Sequence, residues 1–175
     1  MNKELNEKIK NLTNLTKAKL LSSQDTYTGK FIKIITEKYQ LPNNKIIKRE
    51  RIEKNINKEA VIIIAITEQN KYLLVIQNRV KNIVSIEFPS GYIEENESIK
   101  AAASRELQEE TGYYSNNIEI IDNYYSAIGI DSSIVNIVIA YNCQKITTQA
   151  LGESEYINFS EFTYEELKEK VLEIN

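Results

Sequence analysis

The apolar and polar positions of this chain change period several times, and each change marks an element. Residues 3 to 21 (KELNEKIKNLTNLTKAKLL) set Leu and Ile at roughly helical spacing among Lys and Glu, with no Gly or Pro before SSQDTYTG, and read as an N-terminal helix or arm. FIKIITEKYQL and IIKRERI flank the turn-like PNNK, the pattern of an antiparallel hairpin between Phe31 and Ile52. AVIIIAIT, residues 60 to 67, is an almost continuous β-branched run, and KYLLVIQNR follows it across polar EQNK; these predict a buried central strand and its hairpin partner. VSIEFPSG predicts a short strand ending in a turn. From Ser98, a good N-cap residue, to Gly112, placed for a left-handed C-cap, the period is helical.

Beyond that helix, IEIID, YYSAIG and IVNIVIAYNC alternate or run apolar and predict strands through Cys143. FTYEELKEKVLEIN has Thr163 as cap and sets Leu167, Val171 and Leu172 on one side, predicting a short helix packed on a sheet. The order of helix, strands, helix, strands, helix belongs to the α+β class with a mixed sheet. At 175 residues the chain is long enough for one ordinary core and short for two. Residues 1–55, the first helix and hairpin, read as a segment added to a main domain over 56–175.

Composition narrows the chemistry. A net charge of -3 excludes a general basic field for nucleic acid, so phosphate binding needs a local device. A single cysteine, Cys143, excludes an intrachain disulfide and a cysteine-based zinc cluster, and fits a reducing compartment. There is no His, so catalysis has to run on carboxylates, Lys, Tyr, Ser or Thr. No apolar run is long enough for a signal-peptide core or a membrane span, which leads to the expectation of a cytoplasmic protein with no membrane partner.

One stretch, GYIEENESIKAAASRELQEETGY (residues 91 to 113), crowds six carboxylates around one Arg. Glu-rich helices are ordinarily solvated faces, and for Glu94 and Glu95 that reading stands. On a helical wheel, however, Ile99, Ala102, Ala103 and Leu107 span an apolar arc of roughly 140°, and Glu106 and Glu110 fall inside it, roughly 40° apart. Glu109 lies at the arc's edge, one turn after Arg105. Two carboxylates on the buried side of one helix repel each other and lose hydration, so something must compensate them. Protonation or a nearby Arg or Lys would do so; a hard divalent cation is the most economical answer, and Mg²⁺ suits a site that shares its coordination with substrate phosphates.

The same stretch reads Gly91, five residues, Glu97, seven residues, Arg105-Glu106-Leu107, one residue, Glu109-Glu110, one residue, Gly112. It resembles the Nudix box at every charged and glycine position, with Tyr113 where the family usually has an aliphatic residue. The resemblance implies a Nudix-type α/β/α sandwich with a mixed β-sheet, here carrying an extra N-terminal helix and β-hairpin. It also implies Mg²⁺-dependent hydrolysis of a nucleoside diphosphate linked to another group, with Mn²⁺ a possible substitute. Carried over by position, Glu106, Glu109 and Glu110 would bind the metal with the Ser90 carbonyl as an extra ligand, while Glu97 and Arg105 would hold the loop and orient the carboxylates.

Within that superfamily YTGKFIKI, IKRERIEK, the strand end VIQNR and the EFPSG entry resemble the ADP-ribose pyrophosphatase group, over roughly residues 27 to 162. Gln77 and Arg79 match its Q-x-R element, and Arg79 would meet a phosphate or ribose oxygen; Arg49 and Arg51 on the hairpin would assist. The group's catalytic base usually comes from a late loop, where LGESEYINF offers Glu153 as base and Glu155 as an assisting metal ligand. Ile128 precedes Gly129 where the group often has Pro, which leaves the exact substrate open. The implied reaction is cleavage of ADP-ribose or another ADP-sugar to AMP and a sugar phosphate. The alternatives are a Nudix hydrolase of nucleoside triphosphates, damaged nucleotides or dinucleotides, and a non-catalytic nucleotide-sensing module. Leu20, Phe31 and Ile32 are apolar residues that a compact core does not need, and the resemblance implies a homodimer built through the N-terminal segment.

Overall fold

In the computed structural model, which describes residues 3–153 except 55–58, and 155–172, the β-branched run becomes β4 (Glu59–Thr67), whose alternate residues Val61, Ile63, Ala65 and Thr67 are buried. The described residues fall into two compact units, one holding those up to residue 56 together with 127–133, the other holding the remainder.

In the first unit α1 (Lys3–Thr16) precedes a meander of β1 (Lys19–Thr28), β2 (Ile32–Gln40) and β3 (Ile46–Lys54). The expected hairpin is β2–β3, paired antiparallel from Ile32↔Lys54 to Gln40↔Ile46 and closed at Asn44 in a left-handed conformation. The helix expected over 3 to 21 is shorter. It stops at Thr16, because Lys19–Thr28 instead forms a ladder with β2, an interaction that local periodicity cannot register. No residue of α1 is buried, and every residue of β1 is exposed. Inside this unit Ile52 also pairs with Asp131, and its N–H donates to the Ile130 carbonyl at 2.7 Å.

The second unit is a mixed sheet carrying the central helix. β10 (Asp131–Lys145) runs parallel to β4; β4 pairs antiparallel with β5 (Tyr72–Asn78), and β5 with β11 (Ile157–Phe162). IEIID and YYSAIG, expected as separate strands, form one, β9 (Asn117–Ala127), against β10, while the short β8 (Tyr113–Tyr114) also joins β10. The sheet divides in a way that makes the site. β4 and β5 stay paired only at Ala65↔Leu73 and Ile66↔Tyr72. Beyond that point β5 takes β6 (Val84–Glu87) and β4 takes β7 (Ser90–Tyr92). Phe88 and Pro89 bridge the gap, with the Pro89 carbonyl accepting from Ile63 N–H at 2.9 Å.

Across this region lies α2 (Ile99–Thr111). Its start is set by Ser98, whose hydroxyl accepts from Ala101 N–H, and its end by Gly112 at φ 76. Gly112 is required twice over, since a Cβ there would also lie 2.2 Å from the Thr147 carbonyl oxygen. Ala102, Ala103 and Leu107 are fully buried and join Val61, Ile63, Leu73 and Val138 in the core. α3 (Tyr164–Leu172) begins with reciprocal bonds between Thr163 and Glu166, a capping box. Leu167 is half-buried, while the side chains of Val171 and Leu172 lie outside the described set. No helix among the described residues is long and apolar enough to cross a membrane.

Candidate active site

Close packing of α2 on β7 brings two glutamates to the floor of a cavity of about 680 Å³. Glu110, on the buried face of the helix, is 6% exposed and accepts from Ser90 N–H at 2.9 Å. Glu106, one turn earlier, lies directly over Gly91: a Cβ at that position would stand 2.0 Å from its carboxylate. The glycine that opens the motif is therefore needed for close approach, and its neighbour Ser90 supplies the donor that aims Glu110.

Burial, with the charges of Glu106 and Glu155 adding to it, pushes the Glu110 carboxyl up to about 8 against the Ser90 bond. Glu106 is raised as well, chiefly by burial, with the Arg105 hydrogen bond opposing. Neither shift is removed by the ionic contacts the fold supplies, so the floor favours a cation or a proton. Arg105 is spread over four groups. It makes a two-pronged bond to Glu97 (2.9 Å at both nitrogens), donates to the Tyr92 carbonyl at 2.9 Å, and reaches Glu106 at 2.7 Å and Glu109 at 3.1 Å. Glu97 also accepts from Glu94 N–H at 3.0 Å, and Arg105 holds its carboxyl below the usual range. One guanidinium thus ties the loop to the helix and orients two carboxylates.

The side wall comes from the end of β5. Gln77 and Arg79 both line the cavity, and Arg79 is clamped by Glu87 of β6 through two hydrogen bonds, one of them 2.8 Å. Glu87 was not singled out by the sequence reading; its register opposite Val75, two pairs from Gln77, carries the information only once β6 is known to pair with β5. Glu155 reaches the cavity and accepts from Gly152 N–H at 2.8 Å, whereas Glu153 is exposed in the adjoining turn and does not line it. Gln149, also missed, fastens this loop to the end of α2 by donating to the carbonyls of Glu110 (2.6 Å) and Ile157 (3.0 Å).

Glu109 is turned toward Arg105 and lines a second, shallower depression with Gln108 and Thr147. Arg49 and Arg51 belong to β3 in the other unit. There Arg51 bonds Glu37 at 2.9 Å and Glu53 at 2.7 Å, and Arg49 lies 5.6 Å from the centre of the Tyr39 ring.

A carboxylate-floored cavity under a loop, helix and loop, set where a mixed sheet divides, offers the oxygen donors that a hard cation takes. Residues 57–175 match the NUDIX domain, and the chain belongs to that family. It is 31% identical over 163 residues to a methanol dehydrogenase activator of Bacillus methanolicus, covering 91% of this chain and 85% of the relative. It is equally 31% identical over 150 residues to an ADP-ribose pyrophosphatase of Bacillus subtilis, covering 85% and 80%. A solved crystal structure of an ADP compounds hydrolase aligns with a TM-score of 0.80 at 22% identity, over 90% of this chain and 84% of that one, sharing the fold.

Proposed function

We propose that this protein hydrolyses the pyrophosphate bond of ADP-ribose or another ADP-sugar, releasing AMP and a sugar phosphate, in a Mg²⁺-dependent reaction. The observation that carries the reading is the buried Glu110 beside Glu106 and Glu155 at the cavity floor, where the burial of one carboxylate is left without a salt-bridge partner among the described residues. Those oxygens fit a hard cation. The described residues hold no ready-made group of three acidic ligands, so the ion would complete its shell with the Ser90 carbonyl, water and substrate oxygens, as Mg²⁺ habitually does. Bound there, it supplies charge neutralisation of the diphosphate and polarisation of a P–O bond.

The chain does the rest. Arg79, held by Glu87, and Gln77 bind a phosphate or ribose oxygen at the wall. Arg105 keeps Glu106 and Glu109 aimed, and Glu109 serves as a further ligand once it leaves that bond. Glu153, exposed in the turn beside the cavity, would take the proton of the attacking water, and Glu155, which lines the cavity, would add an oxygen ligand to the metal. Glu153→Gln is then expected to lower kcat by roughly 10² or more with little change in KM. Glu155→Gln is expected to raise the Mg²⁺ concentration needed for half-maximal rate. Unchanged kcat and unchanged Mg²⁺ dependence in both variants would remove these roles.

Support for the substrate comes from the ADP-ribose pyrophosphatase relative. The deciding assay is a panel of ADP-ribose, other ADP-sugars, dinucleotides and nucleoside triphosphates with Mg²⁺: ADP-sugars should turn over fastest, and a preference for triphosphates would overturn the assignment. The activator relative favours a second reading, stimulation of an alcohol-oxidising dehydrogenase, which a coupled dehydrogenase assay with and without this protein tests. The buried thiol of Cys143 fits a reducing cytoplasm. The exposed α1 and β1 fit a homodimer formed through residues 1–55.

A further inference from the structure

The last carbonyls of a helix have no partner within it, and at the end of α2 those carbonyls are taken by a segment that follows β10. Gly112, at φ 76, turns the chain aside. The Tyr113 N–H, which continued helix would have sent to the Glu109 carbonyl, goes instead to the Thr111 hydroxyl at 3.1 Å. Ala150 N–H donates to the Glu109 carbonyl at 2.9 Å, and Ile146 and Thr147 N–H both donate to the Gly112 carbonyl, at 3.0 and 3.1 Å. The Glu110 carbonyl receives a side chain, the Gln149 amide, at 2.6 Å. The second hydrogen of that amide goes to the Ile157 carbonyl at 3.0 Å. Both neighbours are acceptors, so the amide nitrogen has to face them. Ile157 opens β11 opposite Gln77 and lies just beyond the acidic turn. One amide therefore joins three places: the start of the acidic turn, the strand at its far end, and the helix residue whose carboxylate forms the cavity floor.

We propose that Gln149 is a positioning residue: by closing the neck of the acidic turn against the end of α2, its amide sets where the Glu155 carboxylate stands relative to Glu106 and Glu110. This rests on the reading of that floor as a cation site. Within the turn Glu155 is braced by its own backbone neighbour, its N–H donating to the Gly152 carbonyl at 3.0 Å and its carboxylate accepting from Gly152 N–H at 2.8 Å. The carboxylate therefore moves with the turn, and the turn moves with its neck. Glu155 lines the same cavity as Glu106 and Glu110, so a neck held shut keeps three carboxylates converging without the entropy of closing the loop anew each time.

Gln149→Met keeps the length of the side chain and removes both donors. Without metal, the Ala150, Gly152 and Glu155 amides should exchange hydrogen about tenfold faster, the scale of a lost hydrogen bond, while the core amides of Ile63 and Leu107 keep their wild-type rates. The Mg²⁺ concentration for half-saturation, read both from the rate and from the rise in melting temperature on adding Mg²⁺, should increase about tenfold or more. Because Gln149 acts through Glu155, the double variant with Glu155→Gln should match Glu155→Gln alone within about twofold rather than multiply the two effects. Should Gln149→Met fail to fold, Gln149→Asn, which keeps the amide but is too short to span both carbonyls, carries the same measurements. Wild-type exchange at the three amides overturns the closed neck. Faster exchange with unmoved Mg²⁺ half-saturation, or with multiplied effects in the double variant, overturns the positioning role and leaves Gln149 a helix cap. A Gln149-dependent Mg²⁺ affinity in a protein whose wild type turns over no ADP-sugar would uphold the positioning role and remove the hydrolase reading.

Discussion

Glu110 concentrates the physics of this protein in one side chain. Its carboxyl is pushed up from the ordinary 4.5 to about 8, mainly by burial. In the metal-free protein the folded state therefore keeps a proton that the unfolded state has released between about pH 4.5 and 8, and stability falls as pH rises through that window. Glu110→Gln and Glu106→Gln each remove a buried negative charge. We expect both to melt at or above the wild-type temperature without metal, and Glu110→Gln to flatten the pH dependence. The same variants should lose more activity than the ~10–100-fold typical of an outer-shell change at a metal site. Melting curves from pH 5 to 8 with and without Mg²⁺, run beside rate measurements, check both halves. Near-normal rates in both variants would dismiss the metal floor.

At the scale of elements, two glycines do different jobs at the two ends of the same motif. Gly112 terminates α2 in a left-handed conformation and sits against the Thr147 carbonyl, a backbone atom that cannot turn aside. Gly112→Ala should cost at least the ~1–2 kcal/mol of a left-handed non-glycine residue, which lowers Tm by several degrees at roughly 2–4 °C per kcal/mol for a chain of this size. Gly91 faces only the end of the Glu106 side chain, which can move. Gly91→Ala should thus leave Tm nearly unchanged and depress kcat by displacing that carboxylate. Comparing Tm with kcat for the pair tests the assignment; a reversed pattern would mean that Glu106 is structural.

At the scale of the whole molecule, one group of exposed apolar side chains gathers on the N-terminal helix and the strand after it. Leu5, Ile9 and Leu12 form one stripe of α1, and each is about half exposed; Leu20, Leu21, Tyr27 and Phe31 continue through and beyond β1. Surface of this extent calls for a partner, and a second copy of the chain is the one proposed. Light scattering at micromolar concentration should give twice the chain mass of 20.2 kDa. Replacing Leu5, Ile9 and Leu12 together with Ser should shift it toward the monomer. A wild-type monomer would remove the idea.

Local pattern alone was enough for much of this. A β-branched run marked β4, the helical wheel put Glu106 and Glu110 on the inner face of α2, and Ser98 and Gly112 bounded that helix, because strand propensity, capping and amphipathicity are written within a few residues. The motif spacing singled out Glu106, Glu109 and Glu110, of which the fold brings Glu106 and Glu110 to the cavity and turns Glu109 toward Arg105. Three things needed the tertiary structure. Residues 19–21 left the expected helix because a ladder with β2 lies outside any local window. The division between β4 and β5 exists only once four strands choose partners, and the cavity forms where α2 packs over it. The pairing of Arg79 with Glu87 and the anchoring of the acidic loop by Gln149 join residues separated along the chain, and their energies depend on distances that the chain acquires only when the strands have paired and α2 has packed on them.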